Sequence, residues 1–328
     1  MITRRKALIA LGAAALAPLA AAQQQNKVWR VGFLSARHVD FIESDNYYGP
    51  FTQGMRELGY VVGKNLVIEW RSADGKSERL PGLAAELVRL KIDVLATAGT
   101  PATVAAQKAT SAIPIVMINA GDPVGSGLVK SLARPAGNST GLSIMTAELG
   151  PKLLEMLAAM TPKAARVAVL LHPANDANLL ALRNIEAAAT KLGITILPIE
   201  ARTPKDIADG FALMTRQHTE ALIVPLEGLF QQQKNQILAL VAKQRLPSIA
   251  AYREYVEAGG LISYGQNVGD SYRRAATYID KIFKGANPGE LPVEQPTMFE
   301  LFINMKTAKA LGIKVPHSIL VQATKVIE

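Results

Sequence analysis

Small and polar residues follow two of the predicted strands in the first half of the chain, where they could contact a small molecule. Ser35 follows the first strand, and Gly99 and Thr100 lie between the third strand and a helix. Glycine permits close approach to the backbone, and a helix N-terminus presents free N–H groups and the positive end of the helix dipole. These residues predict a site for a carboxylate or another anion. Thr100 could also serve only as a helix cap, and the two roles are compatible.

Four further residues are candidates for contacts to the remainder of such a molecule. Asp122 follows the fourth predicted strand, where it either caps the next segment or accepts from an ammonium or hydroxyl group. Asn175 competes with its neighbour Asp176 for one helix N-cap. Glu227 is a candidate anchor for a positive group, with an exposed position at the rim as the alternative. Tyr252 offers a ring and a hydroxyl, and a position in the core is an equal alternative.

Most catalytic chemistry has no sequence signature in this chain. The absence of cysteine excludes disulfides, thiolate metal sites, iron–sulfur clusters and a thiol nucleophile. The sequence also lacks the G-x-S-x-G elbow and the phosphate-loop spacing. The histidines lie in separate segments and show no metal-binding spacing: His38, His172, His218 and His317. We therefore expect no catalytic residue, no metal and no cofactor.

The elements that would position these residues alternate between strand and helix. The apolar pattern predicts strands near 28–34, 66–70, 93–96 and 115–118, and again near 166–171, 194–199 and 221–224, with helices between them. Such alternation indicates parallel sheets covered by helices, and 328 residues favour two domains. The predicted fold class is α/β, with two Rossmann-like lobes joined near 141–150. Ligands bind such sheets at the carboxyl ends of the strands.

Helix boundaries follow from recurring dipeptides. Thr100-Pro101, Thr161-Pro162 and Thr203-Pro204 each predict an N-cap followed by proline in the first turn. Leu-Gly pairs that end at Gly59, Gly193 and Gly312 predict helix ends.

A late helix near 269–284 and a strand near 299–304 follow the second α/β layer. They indicate that the chain returns to the first domain and then crosses once more. We therefore expect one lobe from 23–145 with 266–296, the other from 146–265 with 297–328, and a hinge of several strands between them.

The first 22 residues have the three parts of a secretory signal. Arg4, Arg5 and Lys6 precede an uncharged run that ends in Ala20-Ala21-Ala22. The paired arginines fit either the twin-arginine or the general export route. Removal of this segment lowers an already modest basic excess of 36 Lys and Arg over 27 Asp and Glu. The basic residues are scattered, so we expect no nucleic-acid partner.

Several short segments, taken in this order, resemble the TrpX-like substrate-binding proteins of ABC transporters. They are G-T-P-A at 99–102, D-P-V-G at 122–125, L-A-R-P at 132–135, G-N-S-T-G at 137–141, G-G-L-I-S-Y-G at 259–265 and L-P-V-E-Q-P at 291–296. The likeness extends from about residue 31 to 328. It implies a type I periplasmic binding protein fold and a protein that binds a small molecule without converting it. Well-understood relatives bind aromatic amino acids.

The resemblance also implies which wall of the cleft holds each candidate. Ser35, Thr100 and Asp122 would belong to the first lobe, and Asn175, Glu227 and Tyr252 to the second. The sequence departs from the family pattern at His172-Pro173, where relatives carry Asn-Pro, and at Leu226-Glu227, where many carry an aspartate. Both departures fall in the second lobe, so an amino acid, aromatic or not, and a related carboxylate remain open as ligands.

The resemblance implies a monomer in the periplasm that delivers its ligand to a permease and an ATPase in the inner membrane. Gram-positive relatives are lipoproteins, and the lack of cysteine here favours a soluble protein of a Gram-negative cell. Two other functions remain open from the sequence. One is a ligand-sensing module for a membrane receptor, and the other is a two-lobed α/β enzyme, which would need a nucleotide-phosphate loop that is absent.

Overall fold

The computed structural model describes residues 27–37 and 48–328, which form two α/β layers around separate sheets. The first sheet has five parallel strands in the order β2-β1-β3-β4-β5. They are β1 (Trp29–Ser35), β2 (Leu66–Ser72), β3 (Val94–Ala98), β4 (Ile115–Ala120) and β5 (Ser139–Ser143). We call this sheet and the helices packed on it the first lobe. The predicted export signal and His38 lie outside the described residues.

Three helices connect the strands of the first sheet: α1 (Tyr48–Glu57), α2 (Leu80–Arg89) and α3 (Thr100–Ala109). The apolar face of α2 is buried at Leu80, Leu83, Ala84 and Leu87. Side chains of β1 alternate between the two faces of the sheet, since Phe33 and Leu34 belong to different core clusters. Both faces are therefore covered, as the apolar pattern predicts.

The second sheet has seven strands in the order β12-β11-β10-β9-β8-β6-β7, and we call it with its helices the second lobe. Its strands are β6 (Arg166–Leu171), β7 (Thr195–Glu200), β8 (Ala221–Val224), β9 (Ser248–Ala250), β10 (Ile262–Gly265), β11 (Glu300–Asn304) and β12 (Lys325–Ile327). Only β10 and β11 pair antiparallel within it. The α/β class with largely parallel sheets is confirmed.

The remaining helices follow the same alternation through the second half of the chain. They are α4 (Thr146–Met160), α5 (Asp176–Leu192), α6 (Pro204–Arg216), α7 (Gly228–Gln232), α8 (Lys234–Gln244), α9 (Glu254–Glu257), α10 (Val268–Phe283), α11 (Met305–Leu311) and α12 (His317–Leu320). Every helix within residues 27–37 and 48–328 is too short or too polar to span a bilayer.

The chain passes between the two sheets more than once. It leaves β5 of the first sheet and enters α4, which packs on α5. After β10 it returns, because α10 packs against α1 of the first lobe. It then reaches β11 in the second sheet, after Glu294 has bonded to Ser143 at the edge of β5. The lobe boundaries at residues 145, 265 and 296 stay a prediction.

The predicted helix start at Thr203 and all three predicted helix ends match the structure, since Gly59 also follows the end of its helix with a φ of 90°. Thr203 forms a capping box with Asp206 in the first turn of α6. Gly193 and Gly312 end their helices in the left-handed conformation, with φ of 67° and 73°. These signals are local, so they need no knowledge of the tertiary contacts.

Two predicted N-caps were wrong. Thr161 ends α4 instead of starting a helix, because its hydroxyl donates to the carbonyl of Leu157 at 2.7 Å. Thr100 is the first residue of α3, and Gly99 occupies the N-cap position. The Thr100 hydroxyl does not cap its own helix because it accepts the N–H of Gly121 at 2.9 Å.

Candidate functional site

A small cavity lies where the carboxyl ends of the two sheets face each other. Its volume is about 40 Å³, which is room for a few water molecules. A larger ligand would need a wider space between the lobes. Both lobes contribute polar residues to its wall: Arg37, Gly99, Thr100, Asn119, Thr146, Asn175, Asn178, Glu227 and Tyr272.

The first lobe presents the start of α3 to the cavity. Gly99 adopts a φ of 84° at the N-cap position, and within residues 27–37 and 48–328 no side chain caps this helix. Thr100 is 3% exposed and its Oγ1 accepts from the Gly121 N–H. The hydroxyl proton of Thr100 can still be donated to a second partner. This arrangement favours an anionic group of a ligand.

The second lobe presents a carboxylate held by two amides. Glu227 Oε2 accepts from Nδ2 of Asn175 at 2.6 Å and from Nδ2 of Asn178 at 3.3 Å. Asn175 also caps α5, since its Oδ1 accepts the N–H of Ala177 at 3.2 Å. Asn175, and not Asp176, therefore takes the N-cap. The amides fix the carboxylate at the cavity wall, where it can accept from a positive group.

Arg37 reaches from the end of β1 to the second lobe. Its Nη1 donates to the Tyr272 hydroxyl of α10 at 3.1 Å, and its Nη2 donates to Oε1 of Gln231 in α7. A Cβ on Gly228 would lie 3.3 Å from Cγ of Arg37, so the glycine lets this side chain pass. Burial raises the pKa of Tyr272, and the Arg37 charge opposes that shift.

The Arg37 charge also acts on the carboxyl group of Glu254. Burial raises the pKa of Glu254, and the charges of Arg253 and Arg37 oppose it. Oε2 of Glu254 is buried and has no hydrogen-bond partner in the described part of the chain. Arg37 is thus a positive group at the centre of the interface between the lobes.

Four of the seven sequence-predicted site residues line the cavity, namely Gly99, Thr100, Asn175 and Glu227. The structure brings them together from both lobes, although they come from three separate segments of the chain. Whether they contact a ligand stays a prediction.

The other three predicted residues have different partners. Ser35 Oγ accepts the backbone N–H of Arg37 at 3.1 Å, behind the cavity wall. Asp122 Oδ1 accepts the N–H of Gly125 at 2.9 Å, which is the capping role that the sequence left open. Tyr252 is 1% exposed, and its hydroxyl donates to the Phe230 carbonyl at 3.1 Å within the second lobe. Their contact with a ligand also stays a prediction.

The sequence analysis did not select Arg37, Asn119, Thr146 or Asn178, which also line the cavity. Arg37 and Asn119 lie at the carboxyl ends of β1 and β4, so the rule for ligand sites in parallel sheets points to both. Asn178 lies three residues after Asn175 and shares a helix face with it. Thr146 carries no comparable signal. Across the described residues, no group of three or more His, Asp or Glu side chains could hold a metal ion.

The chain was compared with known proteins by sequence and by structure. The sequence profile of the family described as ABC transporter substrate binding protein matches residues 39–327. A tyrosine-binding protein of Clostridioides difficile (strain R20291) is 26% identical over 264 residues, which cover 80% of this chain and 76% of that protein.

Two solved structures are similar over nearly the whole fold. One is the ABC domain in complex with L-Trp from Streptococcus pneumoniae, with a TM-score of 0.82, 27% identity, and coverage of 90% of this chain and 100% of that one. The other is a conserved domain protein of Vibrio cholerae, with a TM-score of 0.84, 26% identity, and coverage of 92% and 100%. The resemblance to TrpX-like proteins and the type I periplasmic binding protein fold are confirmed. The chain belongs to the ABC transporter substrate binding protein family.

Proposed function

We propose that this protein captures an amino acid or a related small carboxylate between its lobes and delivers it to the permease and ATPase of an ABC importer. The family match supports a substrate-binding role. One similar protein is named as tyrosine-binding, and another was solved in complex with L-Trp. Both support an amino acid as the ligand. The residues of the cleft support a ligand with both an anionic and a positive group.

The observation that carries this proposal is the pairing of opposite groups across one cavity. The start of α3 at Gly99 and Thr100 favours a carboxylate, and Glu227 on the facing lobe favours an ammonium group. A zwitterion bound to both walls gains contacts that only the closed arrangement offers. Ligand binding therefore shifts the equilibrium toward closure, and a permease can distinguish the closed shape from the open one.

The proposal places the protein outside the cytoplasm. Residues 1–22 would direct export by the twin-arginine or the general route and then be removed, leaving a soluble periplasmic monomer without cysteine. Cell fractionation followed by sequencing of the mature N-terminus tests this step. A mature chain that begins at Gln23 in the periplasmic fraction is expected, and full-length protein in the cytoplasm would contradict it.

The binding step is tested by thermal unfolding of the mature protein with each proteinogenic L-amino acid and with simple carboxylates. A ligand at about 100 times its dissociation constant should stabilise the folded state by about 2.7 kcal/mol. We expect such a shift with at least one amino acid. The absence of a shift across the panel would contradict the proposed ligand class.

A further inference from the structure

Asn119 lies near the end of β4 in a backbone conformation that is unusual for a residue with a side chain. Its φ is 58°, in the left-handed region, where asparagine is tolerated better than most residues. The pairing of β4 with β5 also shifts register between Met117 and Ala120. The backbone therefore departs from regular strand pairing at Asn119. Such strained positions persist where the surrounding structure holds them, and they concentrate at ligand-binding sites.

The side chain of Asn119 is buried and only half satisfied. It is 6% exposed and lines the cavity between the lobes. Its Oδ1 accepts from Nε2 of Gln266 at 2.7 Å, whereas its Nδ2 is buried and has no hydrogen-bond partner among the described residues. A flip of the Asn119 amide alone would place Nδ2 against Nε2 of Gln266. The Gln266 contact thus favours the orientation in which Asn119 offers a donor.

The unpaired Nδ2 of Asn119 lies next to the start of α3, which is the other part of the first lobe that favours an anion. The N–H of Gly99 donates to the carbonyl of Ile118, the residue before Asn119, at 2.8 Å. The Asn119 amide and the start of α3 are therefore neighbours at one wall. A buried N–H without a partner is costly, so an acceptor atom of a ligand at this point is stabilising.

The wall of the cavity that the second lobe forms offers hydrogen-bond acceptors instead of donors. Asn178 is 3% exposed, and its Nδ2 donates a hydrogen bond to Glu227. Its Oδ1 is buried and has no hydrogen-bond partner in the described part of the chain. Glu227 and Asn178 Oδ1 are both acceptors. Donors therefore line the first-lobe wall of the cavity and acceptors line the second-lobe wall.

We infer that Asn119 is a ligand-binding residue whose Nδ2 donates to a carboxylate oxygen of the ligand, and that Gln266 is the residue that positions it. The inference rests on the proposed function. It assigns the orientation of the bound amino acid, with the carboxylate toward Asn119 and α3 and the ammonium group toward Asn178 and Glu227.

Gln266 acts through Asn119 because it does not line the cavity itself. It lies between β10 of the second sheet and α10, which packs on the first lobe, and its Nε2 also donates to Ser271 Oγ at 3.3 Å. A segment that crosses between the lobes thus fixes the amide at the ligand site. Replacement by glutamate would reverse this contact, since a carboxylate at 266 accepts from Asn119 Nδ2 and turns Oδ1 toward the ligand.

The test compares an amino acid with its own α-carboxamide by calorimetry, using the L-amino acid that binds the wild-type protein most tightly. Asn119→Asp keeps the acceptor for Gln266 but places a negative charge against the ligand carboxylate. We expect affinity for the amino acid to fall by about tenfold or more, and affinity for the carboxamide to change by less than about threefold. Gln266→Glu should shift the preference between acid and carboxamide in the same direction.

Two further variants separate binding from folding. Asn119→Gly removes the amide and the backbone strain together, so the ligand-free protein should remain at least as stable while affinity for the acid falls about tenfold. Asn287→Asp adds the same charge at an exposed N-cap outside the cavity and should bind like the wild type.

The outcomes distinguish this inference from the function on which it depends. Asn119 variants that bind the acid like the wild type, or that lose acid and carboxamide equally, would overturn the inference and leave the proposed function standing. A wild-type protein that binds no amino acid would overturn both.

Discussion

Some residues that line the cavity also make hydrogen bonds that hold their own part of the fold in place. Asn175 caps α5 and donates to Glu227, and Thr100 accepts from Gly121 while its proton stays available. The sequence allowed a helix cap and a ligand contact to coexist at Thr100. The structure shows that one side chain can face the cavity and still hold its own segment in place.

Thr100→Val tests the anion site at the start of α3. The two side chains have similar shapes, but valine removes the acceptor for the Gly121 N–H and the hydroxyl that could donate to a ligand. We expect binding of a carboxylate ligand to weaken by about 1 to 2 kcal/mol in a calorimetric titration. Thr100→Ser keeps the hydroxyl and should bind nearly as well as the wild type. Equal affinity of the valine variant would count against this site.

Glu227→Gln tests the positive-group anchor of the second lobe. Glutamine can still accept from Asn175 or Asn178, so the wall should keep its shape while its charge is lost. We expect a ligand with an ammonium group to bind about 1.5 to 3 kcal/mol more weakly. Titration with the deaminated analogue is the control, and its affinity should hardly change. If both ligands weakened equally, the anchoring role of Glu227 would be wrong.

At the scale of elements, the strand and helix alternation could be predicted because each apolar pattern is local. The prediction missed β5, since Ser139, Thr140, Gly141 and Ser143 show no apolar alternation although the strand is fully buried. It also missed β9, β10 and β12, which have only three or four residues each and contribute little periodicity. Their strand character comes from neighbours in the sheet, which a local pattern does not contain.

Only part of the site could be predicted, because a local sequence pattern does not contain the contacts between distant residues. The strand ends indicated Gly99, Thr100, Asn175 and Glu227, which all line the cavity. The contacts of Arg37 depend on Gln231 and Tyr272, which lie 194 and 235 residues away in sequence. No spacing rule brings such residues together, so only the tertiary fold reveals this part of the interface.

A hydrogen bond between α10 and the first lobe titrates at alkaline pH. The Tyr60 hydroxyl donates to Asp280 Oδ1 at 2.9 Å. Burial and the Asp280 contact raise the pKa of Tyr60 to about 12, from its ordinary value near 10. The folded state therefore keeps this proton at higher pH than the unfolded chain. The resulting stability is fully present below about pH 10 and is lost as pH rises toward 12.

Tyr60→Phe isolates this contribution, because the change removes only the hydroxyl group that donates to Asp280. Below pH 10 we expect the variant to be less stable by about 1 kcal/mol in denaturant unfolding. The difference from the wild type should shrink between about pH 10 and 12. A difference that stays constant across this range would contradict the assignment.

At the scale of the whole molecule, the two lobes lie in direct contact at Gly121. A Cβ at this position would lie 2.3 Å from Cβ of Ala177 at the start of α5. Gly121→Ala should therefore hold the lobes apart and weaken ligand binding. Small-angle scattering should show a larger radius of gyration than that of the wild type when ligand is present.

Gly82→Ala is the matched control for this steric effect, since a Cβ there meets nothing within 4 Å on α2. It should leave both ligand affinity and the radius of gyration unchanged. Closure of Gly121→Ala to the same dimensions as the wild type would show that the contact with Ala177 does not limit the closed state.

The two-lobed fold alone does not identify a ligand, because one scaffold can carry many binding sites. What distinguishes this chain is the set of polar groups at the facing strand ends, with the start of α3 on one lobe and Glu227 on the other. These groups suit the binding of the proposed zwitterionic ligand.

Native mass spectrometry of the mature protein, incubated with the proteinogenic L-amino acids, tests this central claim most directly. The account predicts one adduct per chain with the mass of a single amino acid, released unchanged when the protein unfolds. A chain that retains no amino acid, or that releases a product of different mass, would contradict it.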